Sequence, residues 1–156
     1  MRTRPYVGVL SVVPFFLAIP KPSFPMTAEL FLTLKAPGVQ FKLLVVNKGQ
    51  RPARIAPIQL RYRLGEDTQE STAPTTTIGL LLPDQVNYIF GAPFLDPSVL
   101  RRIFVNHESL HIYVKISYGL QDNVAFLYTY EAHFLYTANL GSLEEGGFSV
   151  LEARGT

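Results

Sequence analysis

Between Leu110 and Tyr118 the sequence L-H-I-Y-V-K-I-S-Y alternates without a break: Leu110, Ile112, Val114, Ile116 and Tyr118 are separated by His111, Tyr113, Lys115 and Ser117. A period of two suits a β-strand with one buried and one wetted face, and it does not suit a helix. A strand half in water belongs to an antiparallel sheet, so the chain must supply partners of the same kind. V-Q-F-K-L-L-V-V (39–46) turns Val39, Phe41, Leu43 and Val45 inward and Gln40 and Lys42 outward. In I-Q-L-R-Y-R-L (58–64), Ile58, Leu60, Tyr62 and Leu64 oppose Gln59, Arg61 and Arg63. From Val124 to Tyr136, Phe126, Tyr128, Tyr130, Phe134 and Tyr136 share one face, with Glu131 and His133 on the other. E-L-F-L-T-L (29–34) and Val86–Phe90 read as further strands, and Pro37-Gly38 reads as a turn between the first two strands. Asp96 followed by Pro97 offers an N-cap and a first-turn proline for one short helix. Arg63 to Thr77 reads as an exposed loop leading to a weak edge strand.

The chain has 156 residues, 47% hydrophobic and 17% charged, enough for one core and too few for two. Lys and Arg number 14 against 12 Asp and Glu, and pairs such as Arg61/Arg63 and Arg101/Arg102 form no stripe for a phosphate backbone. Nucleic acid is therefore not an expected partner. With no cysteine, disulfides, thiolate zinc sites and thiol nucleophiles are excluded.

Arg2 and Arg4 precede an uncharged apolar run from Tyr6 to Pro20, which Lys21 and further prolines follow. That outline fits an export signal or short anchor, a hydrophobic arm buried on a partner, or a core strand. The run is shorter than the roughly 20 residues a straight membrane helix needs, and Pro14 interrupts it. Tyr6, Val7, Val9, Leu10, Val12, Val13, Phe15, Phe16, Leu17 and Ile19 are the expected membrane or partner contacts.

Val45 to Ile55, V-V-N-K-G-Q-R-P-A-R-I, forms a corner: Asn47 and Gly49 tolerate positive φ, Pro52 stops the ladder, and Ala53 follows. This N-x-G-x-x-P-A pattern resembles that of small immunoglobulin-like β-sandwiches in bacterial envelope, surface and phage proteins. L-L-P-D-Q (81–85) is similar to their turn before a middle strand, and I-S-Y-G-L-Q-D-N-V-A-F (116–126) to their late hairpin. The resemblance spans Glu29 to Thr137 in outline and implies a fold rather than an activity.

His107-Glu108-Ser109-Leu110-His111 spells H-E-x-x-H. On a helix, His107 and His111 would share a zinc, with Glu108 as general base. On the strand that the alternation predicts, two residues four apart are separated by about 13 Å and cannot ligate one ion. No recognisable third-ligand motif follows among Glu131, His133, Glu144 and Glu145, so the spacing reads as incidental. No nucleophile elbow, phosphate loop or dinucleotide fingerprint is present, and Asp84, Asp96 and Asp122 fall at turns or caps.

The sequence thus predicts an all-β, immunoglobulin-like antiparallel β-sandwich of about seven strands, with one short helix and an apolar N-terminal segment. Residues 1–25 are expected as an arm, anchor or signal, 26–138 as the sandwich and 139–156 as a flexible tail. The expected role is a non-catalytic accessory or scaffold subunit without cofactor. It would be held at a membrane, on the extracytoplasmic side, or at a larger assembly through residues 6–20, with protein partners on the sandwich. A virion or surface-lattice protein, and a small zinc hydrolase using His107, Glu108 and His111, are the alternatives.

Overall fold

The computed structural model describes residues 4–19, 28–67, 70–73, 75, 77–91, 93–137 and 147–155. In chain order they form β1 (Val7–Ile19), α1 (Ala28–Thr33), β2 (Lys35–Asn47), β3 (Ala53–Ile55), β4 (Gln59–Leu64), β5 (Ser71–Ala73), β6 (Leu80–Leu81), β7 (Val86–Phe90), α2 (Pro97–Phe104), β8 (Leu110–Leu120), β9 (Tyr128–Thr137) and β10 (Gly147–Gly155). The result is an all-β sandwich of antiparallel sheets. Among the described residues, ten strands and two helices stand where about seven and one were expected.

One sheet has the order β1-β2-β7, and the other runs β10-β9-β8-β3-β6. One edge of β8 is divided: β4 pairs with it from Leu110 to Lys115 and β3 from Tyr118 to Leu120. β5 then extends β4 as an edge strand. The alternation read from the sequence sets which side chains meet inside. Val39, Phe41, Leu43 and Val45 of β2 and Leu110, Ile112, Val114, Ile116 and Tyr118 of β8 all lie in the core. Phe41 meets Tyr136 at 5.3 Å between ring centroids, and Phe31 meets both Phe16 and Phe104, so aromatic contacts tie both helices to both sheets. Tilted and edge-to-face pairs of this kind stabilise beyond their buried area by about 1 kcal/mol each.

The predicted helix forms at Pro97, capped by the Asp96 carboxylate, which accepts from Ser98 N–H at 2.8 Å. Glu29–Leu34, expected as a strand, is instead α1 with its end residue. Leu and Glu favour a helix, and a helical turn lets Phe31 alone enter the gap between Phe16 and Phe104. Pro37-Gly38 is not a turn either, because both residues lie within β2. The register skips between Leu17↔Gly38 and Ile19↔Lys35, a bulge that takes up Pro37 without requiring its missing N–H and holds Ala36 at φ 55°.

The segment expected as an arm contributes β1, paired with β2 from Val7↔Asn47 to Ile19↔Lys35. The expected tail contributes β10, paired with β9. Residues 1–3 and 20–25 of the one and 139–146 and 156 of the other lie outside the described residues. No described helix is long and apolar enough to cross a membrane.

The corner is built by space and hydrogen bonding rather than by left-handed torsions, since neither Asn47 nor Gly49 has positive φ. Asn47 is wholly buried; its Oδ1 accepts from Tyr6 N–H and Gly49 N–H, and its Nδ2 donates to the carbonyls of Arg51 and Leu81. A Cβ on Gly49 would lie 2.1 Å from the carbonyl oxygen of Arg4, so the glycine admits the incoming chain. Pro52 precedes β3, whose buried Ala53 pairs with both Leu81 and Leu120.

Candidate functional site

The H-E-x-x-H residues are separated by the local structure. α2 ends at Phe104, His107 sits in the following turn at φ 53°, and His111 lies on β8. The single helical face a zincin site needs is not formed. Glu108 is held by both Arg102 Nε and Nη2, each at 2.8 Å, and Arg102 also grips Asp67 at 2.9 and 3.0 Å. These hydrogen bonds hold the Glu108 and Asp67 carboxyls below their ordinary range. Arg102 therefore ties Glu108 at the β8 entry to Asp67 in the loop after β4. Among the described residues no three His, Cys, Asp or Glu side chains group around a metal position.

His111 finds another partner. Its Nδ1 lies 2.8 Å from Nε2 of His133 on β9, and Tyr113 stacks on His133 at 4.2 Å between centroids. The register explains the meeting, because Arg63 faces His111, Arg61 faces Tyr113, and Tyr113 in turn faces His133. The next row places Gln59 beside Lys115, Lys115 beside Glu131, and Glu131 beside Arg154. All these side chains stand on the outer face of the larger sheet, where Gln59, Arg61, Tyr113, Lys115, Glu131, His133 and Arg154 line a depression of about 520 Å³. Burial pushes the His111 imidazole below its ordinary value, and the nearby Arg63 and His133 push the same way, against Glu66. The Tyr113 hydroxyl raises the already basic Arg63 further. Sequence reasoning placed Arg61, Arg63, Tyr113 and His133 on outward faces; it had no register with which to bring them together.

The outer face of the smaller sheet is different. Val13 (41% exposed) and Phe15 (42%) project from β1, and Tyr88 (52%) and Val86 (39%) project from β7. Leu44 of β2 lies between them, opposite Ser11 on one side and Tyr88 on the other. Lys42 interrupts the apolar surface, yet its ammonium lies over the Tyr88 ring at 4.3 Å. Of the other expected contact residues, Val7 and Val12 are buried in the core, while Val9 and Phe16 pack against it. Tyr6 and Leu10 are exposed and Leu17 is half-buried; the Ile19 side chain lies outside the described residues. Val86, Tyr88 and Leu44 were missed as contacts because a half-wetted strand does not reveal in sequence which neighbours extend its outer face.

No family model matches the chain, and no curated protein does. A search of solved structures pairs it with the crystal structure of the "putative ApaA protein" from Bordetella pertussis, at 12% identity and a TM-score of 0.37, over 98% of this chain and 94% of that one.

Proposed function

We propose that the chain is a non-catalytic accessory or scaffold subunit that docks on a partner protein through the outer face of its three-stranded sheet. The observation that carries this is that β1 is apolar on both faces. Val7 and Val12 are buried inside, while Val13 and Phe15 extend outward beside Leu44 and Tyr88. In a two-layer sandwich the outer face of a sheet is ordinarily polar, as it is on the larger sheet here; a strand apolar on both sides calls for a cover on both. Exposed Tyr and Phe match the composition of interface cores more closely than that of solvated sheet surfaces.

Photo-crosslinking in the native host tests this, with a benzophenone amino acid at Tyr88 and, as a control, at Tyr113 on the opposite face. One product of defined mass from Tyr88, absent from Tyr113 and lost in a Val13→Glu/Phe15→Glu variant that still folds, is the expected result. A product containing two copies of this chain would favour the surface-lattice alternative. Binding of the purified protein to lipid vesicles that disappears in the same variant would favour membrane contact. No Tyr88 product and no vesicle binding would sink the proposal.

A further inference from the structure

The loop 121–127, which joins β8 to β9, departs from the polar composition usual in a connection. After Asp122 and Asn123 it runs V-A-F-L into Tyr128; Val124 is 90% exposed and Leu127 60%, with Phe126 exposed between them. The loop's own bonds hold these side chains out. Asn123 Oδ1 accepts from Ala125 N–H at 3.0 Å, and Arg54 Nε and Nη2 both donate to the Asn123 carbonyl. The Arg54 guanidinium then lies over the Phe126 ring at 4.2 Å. A Cβ on Gly119 would collide with the Ala125 carbonyl oxygen, so the glycine lets the loop fold back on the sheet. Arg54 faces Gly119 on one side and Leu80 of β6 on the other, and Leu80 and Leu82 are exposed as well. The result is a fixed, projecting aliphatic tip.

Segments 4–6, 47–54, 80–85 and 119–128 meet at this end of the sandwich. Asn47 joins the first three through Tyr6 N–H and the Leu81 carbonyl, and Arg54 brings in the last. Together they carry four cations, Arg4, Lys48, Arg51 and Arg54, against two carboxylates, Asp84 and Asp122. Among the described residues no carboxylate pairs with Lys48, Arg51 or Arg54. The Arg4 guanidinium lies over the Tyr6 and Tyr128 rings at 4.1 and 4.4 Å. Aliphatic side chains therefore project beyond a collar of cations and tyrosines. Hydrocarbon accepts such side chains without a matched groove, tyrosine settles at headgroup depth, and Lys and Arg reach anionic phosphates. Val and Leu are, by contrast, under-represented among the residues that dominate protein interfaces.

We propose that this end of the sandwich is a peripheral contact with an anionic bilayer, in which Val124 and Leu127 enter the headgroup boundary while Lys48, Arg51 and Arg54 lie against lipid phosphates. The contact needs no spanning segment. It does not rest on the docking face of the three-stranded sheet, and its failure would leave the Tyr88 cross-link untouched.

The test uses the whole chain and vesicles of phosphatidylcholine, with and without about 30% phosphatidylglycerol. The expected result is co-sedimentation with the anionic vesicles that falls as salt rises and is about tenfold weaker on phosphatidylcholine alone. Val124→Ser/Leu127→Ser, at exposed positions where the circular dichroism spectrum should stay unchanged, should lower the affinity about a hundredfold, the effect of withholding two aliphatic side chains from hydrocarbon. Lys48→Gln/Arg51→Gln should lower it about tenfold on the anionic vesicles. The chain has no tryptophan, so Leu127→Trp and Phe15→Trp each introduce a single reporter. Spin-labelled lipid should quench the first and spare the second. Equal binding to the two vesicles, full binding by the serine variant, or quenching at Phe15→Trp as strong as at Leu127→Trp would overturn the proposal. So would the absence of vesicle binding, and a benzophenone amino acid at Val124 that then cross-links to a host protein would assign the tip to that protein instead.

Discussion

Asn47 offers the sharpest test of how the corner is held. Replacing it with alanine strands the Gly49 N–H and the Leu81 carbonyl in a buried setting, at about 1–3 kcal/mol each. The partners of its two remaining bonds, Tyr6 N–H and the Arg51 carbonyl, are reached more easily by water and add about 0.5–1 kcal/mol each. The expected loss is about 4 kcal/mol, a large part of the ~5–15 kcal/mol typical of a whole domain. With a urea m-value of about 2 kcal/mol/M, the midpoint should fall by about 2 M. Asn47→Asp keeps the shape and both acceptor contacts but loses donation to Arg51 and Leu81, and it places a carboxylate against their carbonyl oxygens. Burial raises the pKa of such an acid above its unfolded value. The variant should therefore be at least as damaged as the alanine at neutral pH, and should regain part of the loss as the pH falls toward the unfolded value near 3.9. Urea titration at both pH values reads this directly. A loss under about 1 kcal/mol for Asn47→Ala, or wild-type stability for Asn47→Asp at neutral pH, would refute the account.

Gly49→Ala should displace the chain at Arg4 and Pro5 and cost about 1–3 kcal/mol, with protease cleavage before β1 appearing at lower urea than in the wild type. Glu108 and Asp67 titrate below their ordinary values of 4.5 and 3.8, so their contribution is present above those values and lost as pH falls below them. Arg102→Gln should flatten the acid limb of the melting temperature against pH. His111 also titrates below its ordinary 6.5, so the fold favours its neutral form, and the stability this gives is present above 6.5 and lost as pH falls below it. His111→Gln should remove that slope in thermal melts between about pH 7 and 5, and an unchanged slope would exclude His111 as its source.

What could be read in the sequence follows the range over which each signal acts. The period-two segments foretold β2, β4, β8 and β9 and the inward set of each, except Phe126, which precedes β9 and is exposed, because alternation is fixed by the strand itself. The Asp96-Pro97 start of α2 is equally local. The nature of α1 was not legible, since Phe31 joins a helix to reach Phe16 and Phe104, which are distant in sequence. The same limit hid the candidate sites. Arg61, Tyr113 and His133 are all visible as outward residues, yet only the pairing of β4 with β8 and β8 with β9 sets them in one row. H-E-x-x-H misleads for the opposite reason: its meaning depends on whether α2 continues, and the chain leaves the helix after Phe104.

β1 shows why an apolar run is ambiguous and how the fold narrows its use. An uncharged stretch with a proline inside it is compatible with an anchor, an arm or a strand, because each buries apolar surface and only the geometry of burial differs. As an edge strand of its sheet, β1 could recruit a partner by adding a strand to its free edge. At the start of the strand that route is obstructed: the Tyr118 and Tyr130 side chains hydrogen-bond the backbone of Val7 and Val9 from the opposite sheet. Those tyrosines come from the aromatic inner faces of β8 and β9, so the residues that fill the core also engage the edge. On the proposed function, a partner would meet the exposed face, at Val13, Phe15, Leu44 and Tyr88, where recognition depends on side-chain packing rather than on backbone pairing. Charges introduced at Val13 and Phe15 should accordingly abolish docking, read as loss of the Tyr88 cross-link in a variant that still folds.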